Sequence, residues 1–437
     1  MKGKLSLKRI FLYSSASAGL NIMGVTVSTW LLYFYAPPPD SGRTSYLPIA
    51  LVGILMTVSS LWDAVIDPFI GHWSDTLRSR YGRRRPFLIF AAPVTALALI
   101  LIWLPPQGRS ITTNAFFFFI TVTVFYSAFS LVGIPYDGSM PEMASKPQDL
   151  VTLSTWKNIF GILGVLVGAL VAAPLFESIG PVYMAVAVGA VGLITIWLTL
   201  GGLKETERPI GDPIPVIKGL KETLNNKQFL YMFASVLLIH ISYAMIMANL
   251  PYFVTVVVGE SEAVVGTFQG ILVVLMMVSA PIWNWLSRKY PNRNLLIVVM
   301  IALGLVLGLN YSVGLIPGLS PMIHAIITIG IIGPVLGGYF ILAYAMMGSV
   351  VDYDELFTKT RREAIYFGAF SLGASIGPSL AAFVLPLILD NFGYTEGNSL
   401  GIRIAWLIAS GFAILGAVVF KGYKLGDTID ETLTNLS

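Results

Sequence analysis

The sequence predicts an all-α membrane protein with about twelve spanning helices in two six-helix bundles. Three observations carry that prediction. Apolar residues make up 56% of the 437 residues and charged residues only 11%, where an average soluble domain carries about 25% charged residues. The mean hydropathy is +0.78. The apolar residues also fall in runs of membrane-spanning length separated by short polar segments. A soluble fold of this length could not cover so much apolar surface with so few charges, whereas in a bilayer the solvent itself is apolar.

Runs of roughly 20 residues place spans at 10–36, 46–75, 86–105, 113–141, 150–176, 181–202, 229–258, 263–286, 294–316, 321–350, 363–390 and 401–423. Met1 to Gly19 imitates a signal peptide, with basic residues, an apolar run and Ser15, Ala16, Ser17 and Ala18. The apolar stretch continues from Ile22 to Tyr35, so it reads as one uncleaved span. Lys2, Lys4, Lys8 and Arg9 precede span one; Arg78, Arg80, Arg83, Arg84 and Arg85 follow span two; Lys204, Arg208, Lys218, Lys221 and Lys227 follow span six. Arg288, Lys289 and Arg293, then Lys359, Arg361 and Arg362, then Lys421 and Lys424 continue the alternation. The opposite loops hold little beyond Arg43, Arg109 and Arg403. The positive-inside rule therefore predicts an inner-membrane protein with both termini cytoplasmic.

Leu203 to Gln228 is the longest polar stretch and divides the chain into bundles 1–202 and 229–437 joined by the linker 203–228. Pro215 to Asn226 suits a short amphipathic helix on the membrane surface. Pro68 to Pro86 reads PFIGHWSDTLRSRYGRRRP after span two, and Pro281 to Arg293 reads PIWNWLSRKYPNR after span eight. This echo indicates two related halves, the pattern of parallel transporter repeats.

Cysteine is absent, and His72, His240 and His324 are the three histidines. That excludes disulfides, thiolate metal sites and a Cys nucleophile, and no HExxH spacing occurs. The sequence holds no DDxxD-type motif of a membrane prenyl transferase. The chain therefore reads as a non-enzyme with no catalytic residue and no cofactor. The net charge of +4 reflects topology rather than a nucleic-acid partner, and a monomer is expected.

A charge inside a spanning helix costs about 2.5–3.5 kcal/mol on insertion scales, so such residues are candidates for function. Span two carries Asp63 and Asp67 in LWDAVIDPF. The i,i+4 spacing puts both carboxylates on one face, one turn apart. Two such groups repel when buried, so one takes a proton or a cation sits between them. An all-oxygen set suits a hard ion such as Na⁺. The competing reading is that each pairs with a structural Arg or Lys. Lys157 in span five offers a counter-charge at about the depth of Asp67 and of Asp137 in span four. Asp137 reads equally as a solute contact and as a gate or cap. Asp75 with Arg78, Arg83 and Arg84 forms a candidate gate beyond its topological role, and Asp352, with Asp354 and Glu355, is its counterpart in the second half. Asn21 and Ser375 lie near mid-membrane and Tyr366 in span eleven; His240, Tyr243 and Asn249 lie in span seven. Such uncharged polar groups are more often packing residues than ligands; Asn21, Tyr366 and Ser375, with Lys157 and Asp137, are the candidate solute contacts. Trp30 and Trp62 read either as platforms for a sugar ring or as packing.

The segment WDAVIDPFIGHWSDTLRSRYGRRRP (Trp62–Pro86) resembles the glycoside–pentoside–hexuronide:cation symporter family of the major facilitator superfamily. GIPYDGSMPEMA (Gly133–Ala144), LNNKQF (Leu224–Phe229), GSVVDYDE (Gly348–Glu355) and RREAIYFGAF (Arg361–Phe370) extend the resemblance over most of the chain. It implies a major facilitator fold and Na⁺- or H⁺-coupled symport of a small solute by alternating access. Asp63 and Asp67 match the family's cation-binding pair, and Lys157 matches a basic position that contributes to the melibiose site. Asn21, Gly133, Asp137 and Ser375 depart from the melibiose-binding pattern. The implied substrate is another glycoside or sugar-like compound, with a lysolipid or other amphipathic solute as the alternative. A channel fits paired carboxylates and compact helices less well than alternating access does.

Overall fold

The computed structural model describes the chain apart from residues 1–5, 144–146, 206–222, 224, 359–362, 427–430 and 433–437. The expected amphipathic linker helix over Pro215 to Asn226 falls almost wholly outside the described residues, as do Lys359, Arg361 and Arg362. The described chain is helical, with an isolated bridge between Thr395 and Asn398.

The helices are α1 Leu7–Tyr35, α2 Ile49–Thr76, α3 Arg85–Ile102, α4 Ile111–Met143, α5 Pro147–Ser178 and α6 Pro181–Gly202, then α7 Lys227–Tyr252, α8 Ala263–Ser287, α9 Asn292–Leu309, α10 Pro321–Thr358, α11 Glu363–Phe392 and α12 Leu400–Phe420. A π-helical segment, Phe253–Val258, continues α7. Twelve helices among the described residues are long and apolar enough to cross a membrane. This is a multi-pass membrane protein: only helices or closed barrels satisfy their backbone groups in lipid.

The helices form two compact units, Met1–Pro209 with Ser261–Gly270, and Ile210–Glu260 with Ile271–Ser437. The first turns of α8 thus group with the first unit. Within each unit the packing repeats. In the first, α1 lies against α5 and α6, and α3 against α4 and α6; in the second, α7 lies against α11 and α12, and α9 against α10 and α12. The sequence echo after spans two and eight therefore reflects a shared architecture.

Small residues bring the helices of the first unit close, as expected where apolar burial alone cannot drive association. A Cβ at Gly164 would come within 2.4 Å of the Ala18 carbonyl oxygen. Hydroxyls then bond across the contacts. Ser15 donates to the Thr195 carbonyl at 2.7 Å, and the Ala16 amide donates to Thr199 Oγ1 at 2.9 Å. Tyr13 donates to the Tyr136 carbonyl at 2.9 Å, and Tyr136 donates back to the Tyr13 carbonyl at 3.1 Å. Trp30 is 1% exposed and stacks on Phe176 with ring centroids 4.3 Å apart. It is a packing residue, which removes it as a platform for a sugar ring.

Gly164→Val should destabilise the protein by about 1–3 kcal/mol, because the obstructing atoms are backbone and cannot rotate away. Gly411, which has open space around it, serves as the control: Gly411→Ala should unfold within about 0.5 kcal/mol of the parent. Thermal unfolding in detergent reads both; equal melting of the two variants would contradict the packing account.

Candidate functional site

The acidic pair sits at the middle of α2. Asp63 lies about 20 Å of helix rise from either end of that helix, and both carboxylates are partly buried. Asp63 Oδ1 and Asp67 Oδ1 are enclosed and have no hydrogen-bond partner. Among the described residues neither joins an ion pair. Ser130 of α4 stands beside both. Pro68 adds a backbone consequence. It has no N–H, so it cannot donate to the carbonyl of Ala64, one turn back. That carbonyl belongs to the residue next to Asp63. The local set contains two carboxylates and one hydroxyl, all hard oxygen donors. Among the described residues no cluster of three or more His, Asp or Glu side chains adds to it.

Lys157 has another partner. Its Nζ donates to Asp137 Oδ1 at 2.6 Å and lies 5.4 Å from the centroid of the Tyr136 ring. The expected counter-charge role is therefore exercised on Asp137 and not on the α2 pair. Asn21 Nδ2 donates to the Ser17 carbonyl of its own helix at 2.8 Å, close to Gly161 of α5. Trp62 is half-exposed and its Nε1 donates to Ser127 at 3.3 Å.

Ser375 is exposed on α11. Tyr366 departs from the expectation of a solute contact. It is fully buried, donates to Asp354 Oδ1 at 2.9 Å and accepts from Asn226 Nδ2 at 3.1 Å. Those bonds tie α11 to the end of α10 and to the start of α7, so Tyr366 is a packing post.

The candidate gate is built around Arg84, which is 7% exposed. Its guanidinium donates to Asp75 at 2.6 Å and lies 3.2 Å from Glu142; Arg83 also pairs with Glu142. A Cβ at Gly138 would come within 2.0 Å of Arg84 Nη1, so the glycine in the PYDGSMPE segment makes room for this side chain. Glu205 completes the arrangement. Its carboxylate accepts from the backbone amides of Arg83, of Arg84 at 2.9 Å and of Arg85 at 2.8 Å. It thereby caps the free N–H groups at the start of α3, where negative charge is also favoured by the helix dipole. Gly82 adopts φ +109°, and a Cβ there would meet the Glu205 carboxylate. Glu142 and Glu205 were not singled out by the sequence, because a lone glutamate in a basic loop reads as solvated. Arg78, also expected at the gate, is exposed and joins none of these ion pairs. Asp352 is exposed on α10, while the basic run expected to face it lies outside the described residues.

Two like-built units of membrane-length helices, with an acidic pair at mid-helix that joins no ion pair among the described residues, define a transporter. The chain belongs to the MFS/sugar transport protein family (MFS_2), whose model matches residues 12–423. It is 26% identical to an isoprimeverose transporter of Lactiplantibacillus pentosus over 98% of this chain and 90% of that protein. It is 24% identical to a glucuronide carrier protein homolog of Escherichia coli K12 over 98% of this chain and 94% of that one. A sodium-dependent lysophosphatidylcholine symporter of Gallus gallus is 20% identical over 86% of this chain and 79% of the relative. Among solved structures, the nucleoside transporter NupG superposes with a TM-score of 0.66 at 14% identity, covering 96% of this chain and 99% of that one. A D-xylose-proton symporter superposes with a TM-score of 0.67 at 15% identity, covering 95% and 96%. These two likenesses establish the major facilitator fold.

Glu142→Gln should cost about 3–5 kcal/mol, since it strips a buried guanidinium of a charged partner. Arg78→Gln should stay within about 0.5 kcal/mol of the parent. Thermal unfolding of the two purified variants decides; an Arg78 variant that melts as low as the Glu142 variant would contradict the network drawn above.

Proposed function

We propose that this protein is a cation-coupled symporter of a small glycoside, working by alternating access, with Asp63 and Asp67 as the coupling site. The single observation that carries this reading is the α2 pair itself. Two partly buried carboxylates stand together in mid-helix with enclosed, unpartnered oxygens and no ion pair among the described residues. Like charges so placed are tolerable only when a positive ligand neutralises them. Na⁺ or H⁺ fills that role as a co-transported substrate, and the neighbouring Ser130 hydroxyl adds an oxygen suited to a hard ion. Asn21, Lys157 and Asp137 are the solute contacts of the first unit, and Ser375 that of the second. Asp75, Arg83 and Arg84 act in gating. The protein is a monomer in the cell's inner membrane with both termini in the cytoplasm.

The sugar reading rests on the isoprimeverose and glucuronide relatives, the lysolipid alternative on the more distant lysophosphatidylcholine symporter. A thermal-shift series on the purified protein separates them, using isoprimeverose, a phenyl glucuronide and lysophosphatidylcholine, each with and without Na⁺ and at two pH values. Isoprimeverose should raise the melting temperature, more so when the coupling ion is supplied, and lysophosphatidylcholine should not.

Asp63→Asn and Asp67→Asn should each abolish uphill accumulation in proteoliposomes while leaving downhill exchange of the same solute measurable. Gradient-driven uptake that survives in both variants would remove the pair from the coupling mechanism.

A further inference from the structure

Near the middle of the second unit stands a titratable side chain on which no charged group among the described residues acts, His240 of α7. It lies about 20 Å of helix rise from Lys227 at the start of α7. The hydrogen-bonded tyrosine beside it, Tyr339, lies about 27 Å from the first residue of α10. His240 Nδ1 is 2.9 Å from the Val236 carbonyl oxygen and 3.3 Å from the Tyr339 hydroxyl. A carbonyl only accepts, so Nδ1 carries the proton and donates to Val236. The neutral ring then has its lone pair on Nε2. Nε2 makes no hydrogen bond among the described residues, yet it is not one of the enclosed unpartnered atoms. It is an accessible acceptor with nothing to accept.

The surroundings hold this ring in place. A Cβ at Gly377 of α11 would come within 2.6 Å of His240 Cβ, so α11 closes on the backbone at that level. Tyr339 and Phe340 present ring edges at 6.0 and 6.1 Å from the imidazole, and Tyr243 meets Phe340 edge-on at 6.0 Å. Along α7 Leu237, Leu238, His240, Tyr243, Ala244 and Ala248 are partly open. A packing histidine needs only its Nδ1 bond; this one also keeps a fixed lone pair at an open position.

We propose that His240 determines solute specificity by accepting, through Nε2, a hydrogen bond from a hydroxyl of an uncharged glycoside, with Tyr339 orienting the ring. This rests on the glycoside reading above and narrows it. The lone pair repels a carboxylate, and among the described residues no acid pairs with this ring to receive a cationic solute. Aromatic edges beside an acceptor suit a ring that carries both C–H and O–H groups.

The test uses the full-length protein and isoprimeverose, an uncharged disaccharide, as the probe. Calorimetry should show H240L binding it at least about tenfold more weakly than the parent. H240Q, whose amide oxygen can stand close to the Nε2 position, should recover most of that loss. On the unsubstituted protein, diethyl pyrocarbonate should modify His240, read by peptide mass spectrometry, and saturating isoprimeverose should slow that reaction several-fold relative to His72. Equal affinity of H240L and the parent, or modification of His240 that the sugar does not slow, overturns the assignment. If H240L does not fold, H240Q and the protection measurement decide. Failure of the parent itself to bind any glycoside overturns the broader reading and this assignment with it, and is told apart because it needs no substitution to appear.

Discussion

Two carboxylates at the centre of an apolar helix, with no ion-pair partner among the described residues, are the constraint around which the first unit is arranged. The contrast with its other charges gives this weight. Arg83 and Arg84 share Glu142 and Asp75. Lys157 is satisfied by Asp137. Arg43 forks onto Glu262, which also accepts from Tyr33 at 3.0 Å. Asp63 and Asp67, unlike these residues, join no ion pair among the described residues. Leaving them open in a low-dielectric setting is costly, and that cost turns into affinity for whatever positive species enters.

The paired charges and the open ones occupy different parts of the unit and do different physical work. Those around Arg84 join the end of α2, the start of α3 and the end of α4, with Glu205 capping α3. Their geometry is fixed by hydrogen bonds to backbone as well as by charge, so they define where those helices end. The α2 pair lies in mid-helix, next to a proline that frees a carbonyl. A helix interrupted in its hydrogen-bond ladder at that level can adjust locally when an ion binds or leaves.

The helices were legible because lipid demands about twenty apolar residues per crossing, a signal that needs no tertiary knowledge. The exception shows the limit of that signal. The sequence ends span ten at residue 350, but α10 runs on to Thr358, because Asp354 finds a partner in Tyr366 and the polar stretch continues as helix outside the apolar run. The acidic pair was legible from its spacing and its cost in a membrane. The residues that escaped were those whose meaning depends on a distant neighbour. Glu205 is an ordinary loop glutamate until the amides of α3 are brought to it, and Ser130 is one serine among many in α4 until α2 packs beside it. Trp30 and Tyr366 show the converse, polar or aromatic residues at plausible depth that tertiary packing consumed.

The open pair and the neutral acceptor at His240 together have an energetic consequence under the proposed function. If one cation crosses with one uncharged glycoside, each cycle moves one elementary charge. The membrane potential then contributes about 2.3 kcal/mol per 100 mV in addition to the ion gradient. At about 1.4 kcal/mol per factor of ten, this potential alone sustains a solute ratio of roughly 50-fold. An anionic solute carried with one cation would cancel that charge and forfeit this term. Lys157 is already neutralised by Asp137, so it has no spare charge with which to hold an anion. The same distribution of charge that makes the α2 pair hungry for a cation therefore favours an uncharged passenger, and lets the electrical gradient do work on it.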